Sequence, residues 1–140
     1  MKKTLIGLTL LIAISLLTAG CGSTKYNLAA LAGMNIRDLE AVRSEGVTRT
    51  LNLSYEDTYN KIFEIAKKRK LTVYQSNLEK GYIVLIGFPK QETTTRVGVF
   101  FESISDNRTK ITLSCLSSTC LLTAEAMILG DETISTFIIL

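Results

Sequence analysis

The chain has 140 residues, with 16 Lys and Arg against 13 Asp and Glu and a formal net charge of +3. It contains no histidine, which removes the commonest general base and metal ligand and excludes a Ser-His-Asp triad. A chain of this length forms one domain with a buried core.

The N-terminus has the pattern of a secretory signal peptide. Lys2 and Lys3 precede an apolar run over residues 5–17, and small residues follow it up to Gly20. A charged start, an apolar stretch of roughly 7–15 residues and a small-residue cleavage site define such a signal. The run is shorter than the roughly 20 apolar residues that a membrane-spanning helix needs. We therefore expect residues 1–20 to be removed.

Cys21 directly follows the letters LTAG, and this arrangement resembles the lipobox of bacterial lipoproteins. The family prefers Leu at the position that Thr18 occupies, and Leu17 stands one place further out. The resemblance implies cleavage before Cys21, a diacylglyceryl group on its sulfur and acylation of its new amino group. Two or more acyl chains make membrane anchoring stable, where one is marginal. The alternatives are an ordinary signal peptide with a chance cysteine and an uncleaved anchor.

The residue after the cysteine bears on where the protein is sorted. In Gram-negative lipoproteins an Asp at this place retains the protein in the inner membrane, whereas this chain has Gly22. The resemblance therefore implies an outer-membrane protein that faces the periplasm, or, in a Gram-positive source, a protein on the outer face of the single membrane. Loss of Lys2 and Lys3 leaves 14 basic against 13 acidic residues, a net charge of +1. Such a balance gives no support to nucleic-acid binding, which needs a basic face.

Residues 21–46 are predicted to form a lipidated tether with a short helical segment. The first residues after Cys21 are small and polar, which suits a flexible linker. Ile36, Leu39 and Val42 then recur every three residues, a spacing compatible with about two helical turns. This segment is expected either to pack on the domain or to remain mobile.

The domain is predicted to begin with a strand and a helix. Residues 47–53 alternate between apolar and polar side chains, as a strand does, with Arg49 as the exception on the apolar face. Ser54 is a suitable N-cap, and acidic residues follow it in the first turn. We expect this helix to continue to about Arg69, where basic residues face the negative end of the helix dipole.

Four further strands and a final helix follow in the sequence. The strands are predicted at residues 71–76, 82–88, 95–104 and 109–116. The final helix is predicted from Leu121 onward, with Gly130 inside its apolar stripe. A glycine there indicates either close packing of the helix on the sheet or a break in the helix.

This order of elements predicts an α+β fold over residues 47–140. An antiparallel sheet of about five strands, with two helices packed on one face, buries both apolar helix stripes. The order strand, helix, four strands, helix resembles that of the helix-grip domains of small envelope lipoproteins. The resemblance contains no diagnostic motif, and a shared fold does not by itself transfer a function.

Cys115 and Cys120 are the remaining cysteines. In an exported protein such a pair indicates a disulfide. The alternative is two buried thiols, because Cys115 continues the strand alternation and free cysteine packs well. A pair with this spacing and no histidine is a poor zinc site, and it lacks the C-x-x-C spacing of a thiol oxidoreductase.

Three polar features have both a functional and an ordinary interpretation. The basic run 67–70 would attract anionic lipid headgroups or an acidic partner, or is a solvated helix end. Glu102 faces a groove, or is an exposed strand residue. The hydroxyl-rich segments 93–96 and 117–119 form a polar rim for a ligand, or are ordinary edge and loop residues.

The sequence favours a lipid-anchored envelope protein that acts as a non-catalytic binding or assembly accessory. We expect it to contact the membrane through acylated Cys21 and an envelope protein through its domain, with no nucleic acid, metal or cofactor. The alternative is a carrier of a small apolar ligand or lipid between helices and sheet. Its candidate lining residues are aromatic: Tyr55, Phe63, Phe100 and Phe101.

Overall fold

The computed structural model of the protein describes residues 36–139. These residues belong to one compact unit. Its elements in chain order are α1 (Ile36–Ala41), a 3-10 helix (Arg43–Glu45), β1 (Val47–Leu51), α2 (Tyr55–Lys68), β2 (Thr72–Asn77), β3 (Tyr82–Ile86), β4 (Val97–Ser105), β5 (Arg108–Ser114), α3 (Ser118–Ala124), a π-helical turn (Glu125–Leu129) and α4 (Glu132–Ser135).

The five strands form one antiparallel sheet in the order β1-β5-β4-β3-β2. The long hairpin of β4 and β5 lies at its centre, with β1 and β2 at the two edges. The predicted α+β fold with a five-stranded antiparallel sheet is therefore confirmed. Near the end of β1 the C-terminal segment covers the free edge, since the Ile139 amide donates to the Thr50 carbonyl at 2.9 Å.

One face of the sheet, here called the inner face, packs against α2 and the C-terminal helices. Alternate strand residues point into this layer and meet the apolar stripe of α2. Arg49 also lies on this face, as expected, and its guanidinium pairs with Glu125 at 2.8 Å. The fully buried aliphatic residues of this core are Leu51, Ile62, Ile65, Ile83, Leu85, Val97, Val99, Ile111, Leu113, Ile128 and Ile134.

Helix α2 begins and ends almost where the sequence predicts. The Asp57 amide donates to the Ser54 hydroxyl oxygen at 3.1 Å, so Ser54 is the N-cap. Arg69 is the C-cap, and Lys70 follows it with a φ of 57°. This left-handed residue turns the chain into β2, so the helix cannot continue.

The opposite face of the sheet, here called the outer face, is partly covered by α1. Leu39 is fully buried there in a second small cluster with Tyr82, Val84 and Phe100. The Ser114 hydroxyl donates to the Leu39 carbonyl at 2.6 Å and holds α1 to β5. Within the described residues 36–46 of this segment, packing on the domain is the one of the two expectations that is observed. The folded part of the chain therefore begins before Val47.

The C-terminal helix is broken rather than continuous. It begins at Ser118, three residues earlier than predicted, because Ser117 caps it by accepting from the Cys120 amide at 3.2 Å. At Gly130 the amide donates back to the Glu125 carbonyl at 3.1 Å, and α4 then starts from a new N-cap, Asp131. A break at Gly130 is thus the correct one of the two interpretations.

Candidate functional site

The predicted lipidation residue, Cys21, lies outside the described residues. So do the signal peptide and the first part of the tether. Lipidation therefore stays a prediction, and the site that follows is built from residues 36–139 alone.

Cys115 and Cys120 are joined by a disulfide in the structure, with their Cα atoms 6.2 Å apart. Cys120 is completely buried, whereas Cys115 is half-buried. The bond ties the end of β5 to the first turn of α3. Because Ser117 caps α3 within the same short loop, the covalent bond and the cap fix one corner of the helical layer together.

Three of the four predicted ligand-lining residues lie in the inner-face core, where rings contact rings. Tyr59 joins them, with its ring centroid 5.3 Å from that of Phe63 and 5.2 Å from that of Phe101. Tyr55 meets Phe101 edge-on at 6.2 Å. At these separations the aromatic side chains pack against one another.

Phe100 does not belong to this group. It is consecutive with Phe101 on β4, and neighbouring strand residues point to opposite faces. Phe100 accordingly lies under α1 on the outer face. The prediction that both line one space between helices and sheet is therefore wrong for Phe100.

The Tyr55 hydroxyl has a structural partner. It donates to the Leu78 carbonyl at 2.7 Å and thereby ties α2 to the turn between β2 and β3. Burial, together with a smaller effect of Tyr59, raises the pKa of Tyr55. The phenol stays protonated at neutral pH, which this hydrogen bond requires.

Two residues of the basic run at the end of α2 form ion pairs within the domain. Lys68 pairs with Asp131 at 3.2 Å and with Glu132 at 3.1 Å, and Arg69 pairs with Asp131 at 2.9 Å. Burial of Asp131 opposes its ionisation, but hydrogen bonds from Thr133, Lys68 and Arg69 outweigh that effect and lower its pKa. Attraction of anionic lipids to the rest of the run stays a prediction.

The two hydroxyl-rich segments flank the same end of the sheet. Residues 93–96 precede β4 and residues 117–119 follow β5, and the register pairs Gly98 with Ser114 at that end. Arg96 lies over the Tyr74 ring, 3.9 Å from its centroid. The Ser117 hydroxyl is used by the helix cap, which is an ordinary structural role.

A polar pocket of about 380 Å³ opens on the outer face beside the 3-10 helix. We call it the outer-face pocket. Its lining combines two cationic side chains, one carboxylate and three hydroxyl groups: Arg43, Ser44, Thr48, Glu102, Lys110 and Thr112. Of these residues the sequence singled out only Glu102, for which a groove was one of the two interpretations.

The sheet register places four of the six lining residues. Glu102 and Lys110 are directly opposed on β4 and β5, and their charged atoms are 2.6 Å apart. Thr48 and Thr112 are opposed on β1 and β5, with their hydroxyl oxygens 3.0 Å apart. The hydrogen bond from Lys110, with a smaller contribution from Arg43, lowers the pKa of Glu102 despite some burial, so this carboxylate is ionised at neutral pH.

The other two lining residues come from the 3-10 helix, and Gly46 allows that helix to lie close to the sheet. A Cβ atom at this position would collide with the carbonyl oxygen of Leu113 and lie 3.0 Å from the Thr112 methyl group. With no side chain at residue 46, Arg43 and Ser44 reach the outer face directly above β5.

Two further observations concern metal ligands and membrane-spanning helices among the described residues. Within residues 36–139, no three His, Cys, Asp or Glu side chains converge to hold a metal ion. In the same range, none of the helices has both the length and the apolar character needed to cross a bilayer.

Comparison of the chain with models of known protein families, with curated proteins and with solved structures finds no match.

Proposed function

We propose that this chain is a lipid-anchored protein of the bacterial envelope whose domain is a non-catalytic binding module. The observation that carries the proposal is Cys21, placed directly after an apolar run and the letters LTAG. Acyl chains on this residue would hold the protein at a membrane surface without a spanning helix.

The disulfide supports export independently of the signal. Disulfides persist in oxidising compartments and are rare in the cytosol. The Cys115–Cys120 bond lies in the folded domain, far along the chain from the motif at Cys21. A domain that uses such a bond at a corner of its helical layer suits the periplasm or the cell surface.

The outer-face pocket supports a binding role. Its charged and hydroxyl groups are mostly fixed by strand register, and they offer donors and acceptors to a ligand. The chain has no histidine to move protons. Glu102, the carboxylate in the pocket, is held ionised by Lys110, which makes it a poor general acid.

Metabolic labelling with a radioactive fatty acid tests the anchor. The native chain is expected to incorporate label, and Cys21→Ser is expected to lose it because the acceptor sulfur is gone. The matched control is the double variant Cys115→Ser, Cys120→Ser, which leaves Cys21 as the only cysteine of the three and should keep the label. Equal labelling of the native chain and Cys21→Ser would refute lipidation.

Chemical cross-linking of intact cells, followed by purification of the full chain, tests the binding role. A stoichiometric envelope component should accompany the native chain and be lost with Cys21→Ser, which removes the anchor and leaves the domain unchanged. Recovery of no stoichiometric component from the acylated chain contradicts the accessory role.

A further inference from the structure

We propose that the outer-face pocket binds the phosphate group of a phosphodiester, with Arg43 as the main receptor. This inference rests on the proposed binding function and names the ligand class that the pocket would take. Within the described residues, several hydrogen-bonding groups of the pocket are left unused.

Arg43 is fixed in place while its donors remain uncommitted. Its guanidinium carbon lies 5.0 Å from the centroid of the Phe100 ring, a stacking arrangement that limits its motion. The nearest carboxylate oxygen, on Glu102, is 3.8 Å away, which is an ion pair but too long for a hydrogen bond. Within the described part of the chain the fork of N–H donors on Arg43 is thus free to bind a pair of oxyanion oxygens.

The other lining residues add donors from different directions. Lys110 uses one of its three N–H groups on Glu102, at 2.6 Å. The hydroxyls of Thr48 and Thr112 share one hydrogen bond, so the proton of the accepting hydroxyl is left over. Donors on several sides of the space suit the tetrahedral oxygens of a phosphate better than the two coplanar oxygens of a carboxylate.

The charge of the pocket selects among phosphates. Arg43 and Lys110 contribute two positive charges, and Glu102 removes one. A net charge of +1 complements a phosphodiester, which carries a single negative charge, better than a phosphomonoester, which carries nearly two near pH 7. The volume of about 380 Å³ lies within the range of small-ligand sites, roughly 300–1,000 Å³.

Phosphodiesters reach an envelope protein in two forms, as phospholipid headgroups in a bilayer and as soluble esters. The pocket chemistry is the same for both. The experiment therefore uses the full chain in a non-ionic detergent with dimethyl phosphate and glycerophosphoglycerol as soluble probes. Phosphatidylglycerol vesicles, with phosphatidylcholine vesicles for comparison, are the membrane probe.

Binding to each probe is measured by isothermal titration and by amide chemical shifts of the pocket residues. Arg43→Gln is expected to weaken phosphodiester binding about tenfold, as loss of hydrogen bonds to a charged group implies. The matched control is Arg37→Gln on α1, which removes the same charge outside the pocket and should leave the affinity unchanged. Glu102→Gln should strengthen binding about threefold, because it removes a competing negative charge.

Opposite effects at Arg43 and Glu102 support the site, with the soluble esters or with the vesicles as the source that binds. Equal weakening by Arg43→Gln and Arg37→Gln overturns it, since only general charge would then matter. Acetate bound as tightly as dimethyl phosphate, or no shift of the pocket amides with any probe, also overturns it. Failure here is distinguishable from failure of the anchor, which fatty-acid labelling of Cys21 measures separately.

Discussion

The two faces of the sheet are built from the same strands but are covered very differently. The inner face lies under α2 and the C-terminal helices, and its aliphatic and aromatic side chains form a continuous core. The outer face lies only partly under α1, which buries Tyr82, Val84 and Phe100 around Leu39. Beside this small cluster the outer face presents charged and hydroxyl side chains.

This difference separates the part of the fold that provides most of the stability from the proposed binding site. Burial of apolar surface on the inner face supplies most of the favourable free energy of folding, since that energy scales with the area removed from water. The outer-face pocket contributes little to it, because exposed ion pairs are worth about 0–1 kcal/mol. Residues of the pocket are thus free to serve a ligand.

The largest expected change in the free energy of unfolding comes from a substitution in the inner-face core. Ile62→Ala on α2 removes a fully buried side chain and should lower the free energy of unfolding by about 3 kcal/mol. Urea unfolding of the full chain in detergent measures it. Leu122→Ala, at a side chain that is 66% exposed, is the control and should change it by less than about 0.5 kcal/mol.

The matching change on the outer face is Leu39→Ala, also at a fully buried residue. It should loosen α1 locally, so that hydrogen exchange accelerates in α1 while the amides of β4 stay protected. A uniform acceleration through the whole sheet would show that both faces unfold as one unit and would remove the distinction between them.

The disulfide between β5 and α3 should make the next largest contribution to the free energy of unfolding. Replacing both Cys115 and Cys120 by Ser should cost about 2 kcal/mol, the value that loop closure gives for so short a loop. Urea unfolding with and without reductant measures this cost in the native chain. Because neither cysteine lines the outer-face pocket, phosphodiester affinity should be unchanged; a parallel loss of affinity contradicts the separation of the two faces.

Most of the fold was predictable because its signals are local. Ser54 caps α2 as its side chain suggests, and the alternation of apolar residues places all five strands within a few residues of their observed bounds. The break at Gly130 was one of two interpretations, since the apolar stripe continues through it and only the new cap at Asp131 decides the matter.

The outer face was much less predictable because it depends on tertiary contacts. The spacing of Ile36 and Leu39 predicts a helix but not the surface on which it packs. The pocket joins Arg43, Thr48 and Lys110 from three separate elements. The opposition of Glu102 and Lys110 depends on a β-bulge between Ser103 and Ser105. Without that bulge the register of the Ser105–Arg108 pair would place Glu102 opposite Ile111. The predicted ligand-lining set also combined Phe100 with Phe101, although consecutive strand residues point to opposite faces of the sheet.

The smallest expected effect is on stability at acid pH. It can be compared for one carboxylate on each side of the sheet. Asp131 in the helical layer is fully buried, whereas Glu102 in the pocket is about half exposed, and both have a lowered pKa. A carboxyl whose pKa is lower in the folded state stabilises the fold above its unfolded pKa of about 4. That contribution is lost as the pH falls through the folded pKa.

Asp131→Asn keeps an N-cap but removes the ion pairs with Lys68 and Arg69, so it should cost about 1 to 2 kcal/mol at pH 7. The variant should also lose less stability than the native chain between about pH 4 and pH 2, because the group that must be protonated is gone. Urea unfolding at a series of pH values measures both effects. The Glu102 carboxylate faces solvent. Glu102→Gln should therefore reduce the acid-induced loss of unfolding free energy less than Asp131→Asn does. The reverse order would mean that the outer-face ion pair, and not the helical layer, determines acid stability.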